Sequence, residues 1–137
     1  MIEAMSAPEV PPADETTAGW WDATREHRLV VQGCDSCGAV QHPPRGVCTG
    51  CGETGALVWR DDTGAGVVDS FTVVHRAPQR DLAVPYVIAR VRLDCGVLLL
   101  TRLEGADAQA WHIDDRVRVA WVDLPDGRAL PVFTPAD

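Results

Sequence analysis

Lysine is absent from this chain, and all 12 of its cationic side chains are arginine. A basic-then-apolar signal segment is absent too, because Met1 to Thr17 is acidic and rich in alanine and proline. Long apolar runs are also missing; Val97 to Leu100 is far too short to cross a bilayer. These absences lead us to expect a cytoplasmic protein with no membrane partner. No segment is strongly basic: the net charge is −8, and residues 61–137 carry twelve acids against eight arginines. A nucleic-acid binder needs a cationic face to displace counterions from phosphates, so this balance weighs against that class. A local stripe of Arg90, Arg92, Arg116 and Arg118 keeps an acidic single-strand nucleic-acid-binding protein as the alternative of another class. Catalytic signatures are scarce as well. There is no phosphate-cradling glycine loop and no nucleophile elbow. His27, His42, His75 and His112 are scattered, and the carboxylates fall in turns, where solvation explains them. We therefore expect no catalytic residues in this chain.

What is present divides the chain by composition. Residues 1–16 read as a disordered acidic tail. Residues 17–27 read as a short N-terminal helix with Thr17 as its cap and Trp20, Trp21 and Thr24 on one side. The Trp20–Trp21 pair is a large apolar load that must be buried on this chain or on a partner. Residues 28–60 read as a ribbon: a strand Arg28 to Gln32, two cysteine pairs joined by the loop HPPRG, and a strand Ala56 to Arg60. After the turn-rich joint DDTGAG, residues 61–137 alternate as strands. These are Gly66 to His75, Tyr86 to Asp94, Val97 to Leu103, Arg116 to Leu124 and Arg128 to Phe133, with hairpin signals at Asp94-Cys95-Gly96 and Pro125-Asp126-Gly127. A helical turn is expected near Ala106 to Trp111. Five strands with a small helix between the third and fourth match an OB-fold barrel, so the expected class is mainly β: short helix, rubredoxin-like zinc ribbon, five-stranded barrel.

Four of the five cysteines form the pattern Cys34-x2-Cys37 and Cys48-x2-Cys51, each pair followed by glycine. Two intervening residues turn both sulfurs toward one ion, and the glycine permits positive φ and frees amides to donate to sulfur. Two such knuckles close a tetrahedral site with no position left for water or substrate, which makes the metal structural. One Zn2+ is expected, although iron takes the same four thiolates. The odd cysteine count also argues for metal binding over disulfides. Cys95 reads as a turn cysteine without a catalytic role.

The stretches WWDATREHRLVVQGCDSCGAVQHPPRGVCTGCG, GAGVVDSFTVVHRAP, VPYVIARVRLDCGVLLLTRLEG and LPVFTPAD together resemble the zinc-ribbon plus OB-fold acyl-CoA-associated proteins, long described as a domain of unknown function. The resemblance covers nearly everything but the tail; Cys95 departs from the acidic or polar residue expected before that glycine. It implies a non-catalytic accessory subunit of a thiolase-like aldolase, one that cleaves a CoA-linked steroid side chain by a retro-aldol step in a heterotetramer. A MaoC-like enoyl-CoA hydratase is the second partner it implies, and the short chain favours the aldolase. On that reading Trp20, Trp21, Phe71, His75, Arg76, Arg80, Pro85 and Tyr86 are candidate contacts to acyl-CoA or to the partner. The prolines of RAPQRDLAVPY limit the ordering entropy of a docking loop, and arginine forks suit phosphates and carboxylates alike.

Overall fold

The computed structural model describes residues 10–78 and 82–136. Its elements are α1 (Ala18–Thr24), β1 (Val30–Cys34), β2 (Val40–Gln41), β3 (Leu57–Asp61), β4 (Ala65–Val74), β5 (Tyr86–Leu93), β6 (Leu98–Leu103), β7 (Arg116–Asp123) and β8 (Ala129–Pro135). The first three strands make an antiparallel sheet in the order β2-β1-β3. The other five close a barrel in the order β4-β5-β6-β8-β7, sealed by β4 against β7. Among the described residues only β6 and β8 run parallel, and they pair at the single position Leu103–Phe133. That connectivity is the OB fold expected above. Among the described residues no helix is long and apolar enough to cross a membrane.

Alternation builds the barrel core. Along β5, Val87, Ala89, Val91 and Leu93 are buried while Arg90 and Arg92 face out. Val68, Val91, Val117 and Phe133 are fully buried, and Trp111 joins them from the loop between β6 and β7. That loop differs from expectation. Ala106 to Trp111 forms no helical element, only a turn closed by the Ala110 amide donating to the Asp107 carbonyl at 2.9 Å. The Asp107 carboxylate also takes the Gln109 amide at 2.9 Å, and such a local bond competes with helix propagation.

The helix start differs as well. Thr17 makes no side-chain cap. Asp14 does the capping: its carboxylate accepts the Thr16 and Thr17 amides at 2.9 Å each, and the Thr17 hydroxyl accepts the Asp14 amide at 3.1 Å. This reciprocal pair is a capping box displaced three residues upstream. Of the tail expected over 1–16, residues 1–9 lie outside the described residues. Beyond them, the Pro11 carbonyl accepts from Arg128 at 2.7 Å.

The helix is fastened to the β7–β8 hairpin. The buried Thr24 hydroxyl accepts the Ala129 amide at 3.1 Å, and Arg25 donates to the Asp126 carbonyl at 2.8 Å. Arg128, itself buried, lies over the Trp21 ring at 4.5 Å and pairs with Asp126 at 2.7 Å. The joint from β3 to β4 is equally tight. Asp62 donates its amide to the Leu29 carbonyl and accepts the Gly64 amide, both at 2.8 Å. Gly64 sits at φ 77, and a Cβ there would collide with the Val119 side chain, so only glycine fits.

Candidate metal centre and partner-contact residues

The two cysteine knuckles repeat the same local structure. The Cys34 amide donates to the Ala39 carbonyl and the Cys48 amide to the Glu53 carbonyl, each at 2.9 Å. Gly38 and Gly52 donate back to the Cys34 and Cys48 carbonyls at 2.8 and 2.9 Å, with φ of 79 and 80. Both loops thus aim their sulfurs at a common point, and all four Sγ atoms lie within 4.8 Å of one another. The separations Cys34–Cys51 and Cys37–Cys48 are 3.8 and 3.6 Å. A zinc–sulfur bond of about 2.3 Å in a tetrahedron puts neighbouring sulfurs about 3.8 Å apart, so the cluster has the dimensions of a closed zinc site.

The electrostatics point the same way. The amides of Cys51 and Gly50 pull the Cys48 thiol down to about 7. The Glu53 amide lowers Cys51 too, but burial and the three neighbouring thiols outweigh it and push that group up to about 12. Four sulfurs this close resist ionising together unless a dication sits among them.

A glutamine pair ties the proline loop to β1 and to the second cysteine knuckle. The Gln32 side-chain oxygen accepts from the Gln41 side chain and from the Arg45 amide, both at 2.8 Å. Gln41 in turn accepts the Thr49 amide at 2.8 Å and donates to the Val47 carbonyl at 3.1 Å. Both glutamines are buried, and both amide groups find partners.

The candidate contact residues fall into separate places. Trp20 and Trp21 are 8% exposed and meet edge-to-face at 4.8 Å inside the chain's own core, so their load is spent largely on internal packing. Phe71 pairs with Ala89 and packs against the barrel core. His75 and Arg76 are exposed just past β4, and Pro85 and Tyr86 stand opposite them where β5 begins. Tyr86 lies under the Arg102 guanidinium at 4.9 Å. Arg80 lies outside the described residues. The β4–β5 hairpin therefore gathers His75, Arg76, Pro85 and Tyr86, while the tryptophans belong to the helix–barrel joint.

The histidines have different surroundings. His27 meets Asp123 at 2.7 Å and stacks on Trp121 at 5.4 Å between centroids. His42 lies 5.9 Å from Trp20, and burial pushes it down to about 4. Sequence reasoning missed Leu100, whose side chain stands outside the barrel. The signal was available: three consecutive leucines in one strand put apolar groups on both faces, and a single-layered barrel buries only one.

A zinc ribbon at residues 21–57 and an OB fold at residues 59–122 match the family models described as the ChsH2 rubredoxin-like zinc ribbon domain and the ChsH2 C-terminal OB-fold domain. The chain belongs to this ChsH2 family of zinc-ribbon plus OB-fold proteins. It is 34% identical to a chain of the solved "Ltp2-ChsH2(DUF35) aldolase", covering 93% of this chain and 100% of that one with a TM-score of 0.86. A probable enoyl-CoA hydratase alpha subunit of Thermomonospora curvata is 34% identical over 92% of this chain and 39% of its own length. The 3-oxo-4,17-pregnadiene-20-carboxyl-CoA hydratase alpha subunit of Mycobacterium tuberculosis is 36% identical over 85% of this chain and 37% of its own. A DUF35 domain-containing scaffold protein of Methanothermobacter thermautotrophicus is 28% identical, covering 78% and 81%. The chain thus spans under two-fifths of the length of the two hydratase subunits it matches.

Proposed function

We propose that this chain is a non-catalytic accessory subunit of a thiolase-like acyl-CoA aldolase, in a complex that cleaves a CoA-linked steroid side chain by a retro-aldol step. One observation carries the reading: the full length of the corresponding chain of an aldolase complex aligns with this one at a TM-score of 0.86. The metal centre fits a scaffold, because a closed four-thiolate site holds shape and leaves no position for a substrate. The aldolase subunit would supply the catalytic base and the thioester site. The β4–β5 hairpin, with His75, Arg76, Pro85 and Tyr86, would contribute interface and part of the acyl-CoA channel. The net charge of −8 supports protein over nucleic acid as the partner.

A second reading has its own support, since one relative is named a probable enoyl-CoA hydratase alpha subunit and another a 3-oxo-4,17-pregnadiene-20-carboxyl-CoA hydratase alpha subunit. On that reading the partner is a MaoC-like hydratase.

Affinity capture of the chain from native lysate, with mass spectrometry on stoichiometric partners, separates the two. A thiolase-fold protein whose cleavage of a steroid acyl-CoA is restored by adding this chain supports the first. A hydratase-fold protein supports the second, and nucleic acid without protein overturns both.

A further inference from the structure

The outer face of β5 and β6 carries an unusual mixture. Ile88, Arg90 and Arg92 alternate with buried residues on β5, and Leu98, Leu100 and Arg102 do so on β6. The register sets Arg90 beside Leu100 and Arg92 beside Leu98. Leu100 is 73% exposed. A single exposed leucine needs no explanation, but this one stands between two hollows. The first, about 600 Å3, is lined by His42, Pro43, Arg90, Gly96, Leu98 and Leu100. The second, about 310 Å3, shares His42 and Leu100 and continues to Trp20, Leu130 and Pro131. The proline loop of the ribbon thus overhangs the barrel and turns a sheet face into a trench.

Arginines rim this trench on an otherwise acidic molecule. Arg92 is answered by Asp69 at 2.9 Å and Arg102 by Glu104 at 3.1 Å. Among the described residues Arg90 has no carboxylate within ion-pair distance. The trench is an apolar slot with an unanswered cation on its rim. Also on its wall, the Trp20 indole Nε1 is buried without a hydrogen-bond partner.

We propose that this trench is the docking surface for the catalytic subunit, and that it receives an aliphatic side chain of that subunit flanked by carboxylates. The inference rests on the accessory-subunit reading above. Charge complementarity selects this occupant over others. In a two-fold dimer of this chain, the same patch would face itself and bring Arg90 toward its own copy. A single-stranded nucleic acid needs a cationic track with exposed stacking aromatics, whereas the most exposed apolar group here is Leu100 and the Trp20 ring on the wall is only 8% exposed. An aliphatic anchor ringed by acids meets both the slot and the rim, and rim charges of this kind fix register.

The test uses the purified complex with the thiolase-fold or hydratase-fold partner. Leu100→Asp places a charge in the slot and should raise Kd about thirty-fold or more, the size expected at an interface centre. Arg90→Glu should raise it about ten-fold and flatten its salt dependence. Arg118→Glu, exposed on β7, serves as the control and should leave Kd unchanged. All three positions are exposed, and equal zinc content with matching circular dichroism verifies folding. Hydrogen exchange in the complex should show new protection over 88–102. An intact complex with unchanged Kd in both trench variants, or protection confined elsewhere, overturns the docking surface and leaves the subunit reading standing. Absence of any complex with either enzyme fold removes both. A wild-type dimer that Leu100→Asp dissociates would make the face a self-interface and also overturn the proposal.

Discussion

The barrel and the ribbon solve the same folding problem with different materials. In the barrel, Val68, Val91, Val117 and Phe133 sit at zero exposure, and the hydrophobic effect closes the structure. In the ribbon, only Gln41 and Cys48 are buried between Asp35 and Ala56. That stretch has no hydrocarbon interior of its own, so a metal centre and a glutamine pair must take its place. Strand β1 belongs to both regimes: Val30 and Val31 enter the common core, while Cys34 at its end belongs to the four-cysteine cluster. The difference teaches where each region is vulnerable. The barrel tolerates loss of polar contacts and resents cavities; the ribbon tolerates exposure and resents loss of a ligand or an amide.

Removing the metal should produce the largest effect. Structural zinc supplies about 10 kcal/mol or more of folding free energy in modules of this kind. A strong chelator, or Cys34→Ser with Cys48→Ser, should abolish amide protection over 34–56 in hydrogen exchange while β5 and β7 remain protected. Equal loss across both regions would mean that the barrel depends on the ribbon. Next in size is Trp21→Ala, which vacates the helix–barrel joint and leaves the buried Arg128 without its ring. A cost of about 3–5 kcal/mol is expected in chemical denaturation, on the barrel transition. A cost below 1 kcal/mol would show that the indole is not a core residue.

Gln41→Leu keeps the volume but strands the Thr49 amide, the Val47 carbonyl and part of Gln32. About 1–3 kcal/mol should be lost, confined to exchange in 40–49, because each buried unpaired group carries its full desolvation cost. The smallest effect should come from Gly19→Ala. Its Cβ would collide with the Trp59 indole, but that side chain is 38% exposed and free to swing outward. The gain of about 1 kcal/mol in helix propensity offsets the displacement, leaving stability within about 1 kcal/mol of wild type. Tryptophan emission should shift to the red, and the shift should vanish in a Trp59→Phe background.

Much of this architecture was legible along the chain. The metal site is local: two Cys-x-x-Cys-Gly units each fold on their own i-to-i+4 amide bonds, so spacing alone announces them. The five barrel strands followed from alternation, since a half-buried strand must place one face inside. The helix cap was harder, because Asp14 and Thr17 are both good capping residues and only the reciprocal bond decides between them. The loop from Ala106 to Trp111 has helical composition, yet Trp111 is drawn into the core and Asp107 ties the backbone into a turn. The tryptophan pair illustrates the same limit: composition said that the indoles need cover, not that this chain's own hairpin provides it.

The sequence by itself determined the four-cysteine cluster, the five strands of the barrel and the acidic balance, because the first two depend on neighbours within a few residues and the third on composition alone. Tertiary structure decided the rest. The trench joins His42 and Pro43 of the ribbon to Arg90 and Leu100 of the barrel, residues far apart in the chain and brought together only when α1 bridges β1 and β8. No local pattern encodes that meeting, since it depends on how the short joint at Asp62 to Gly64 sets the ribbon against the barrel.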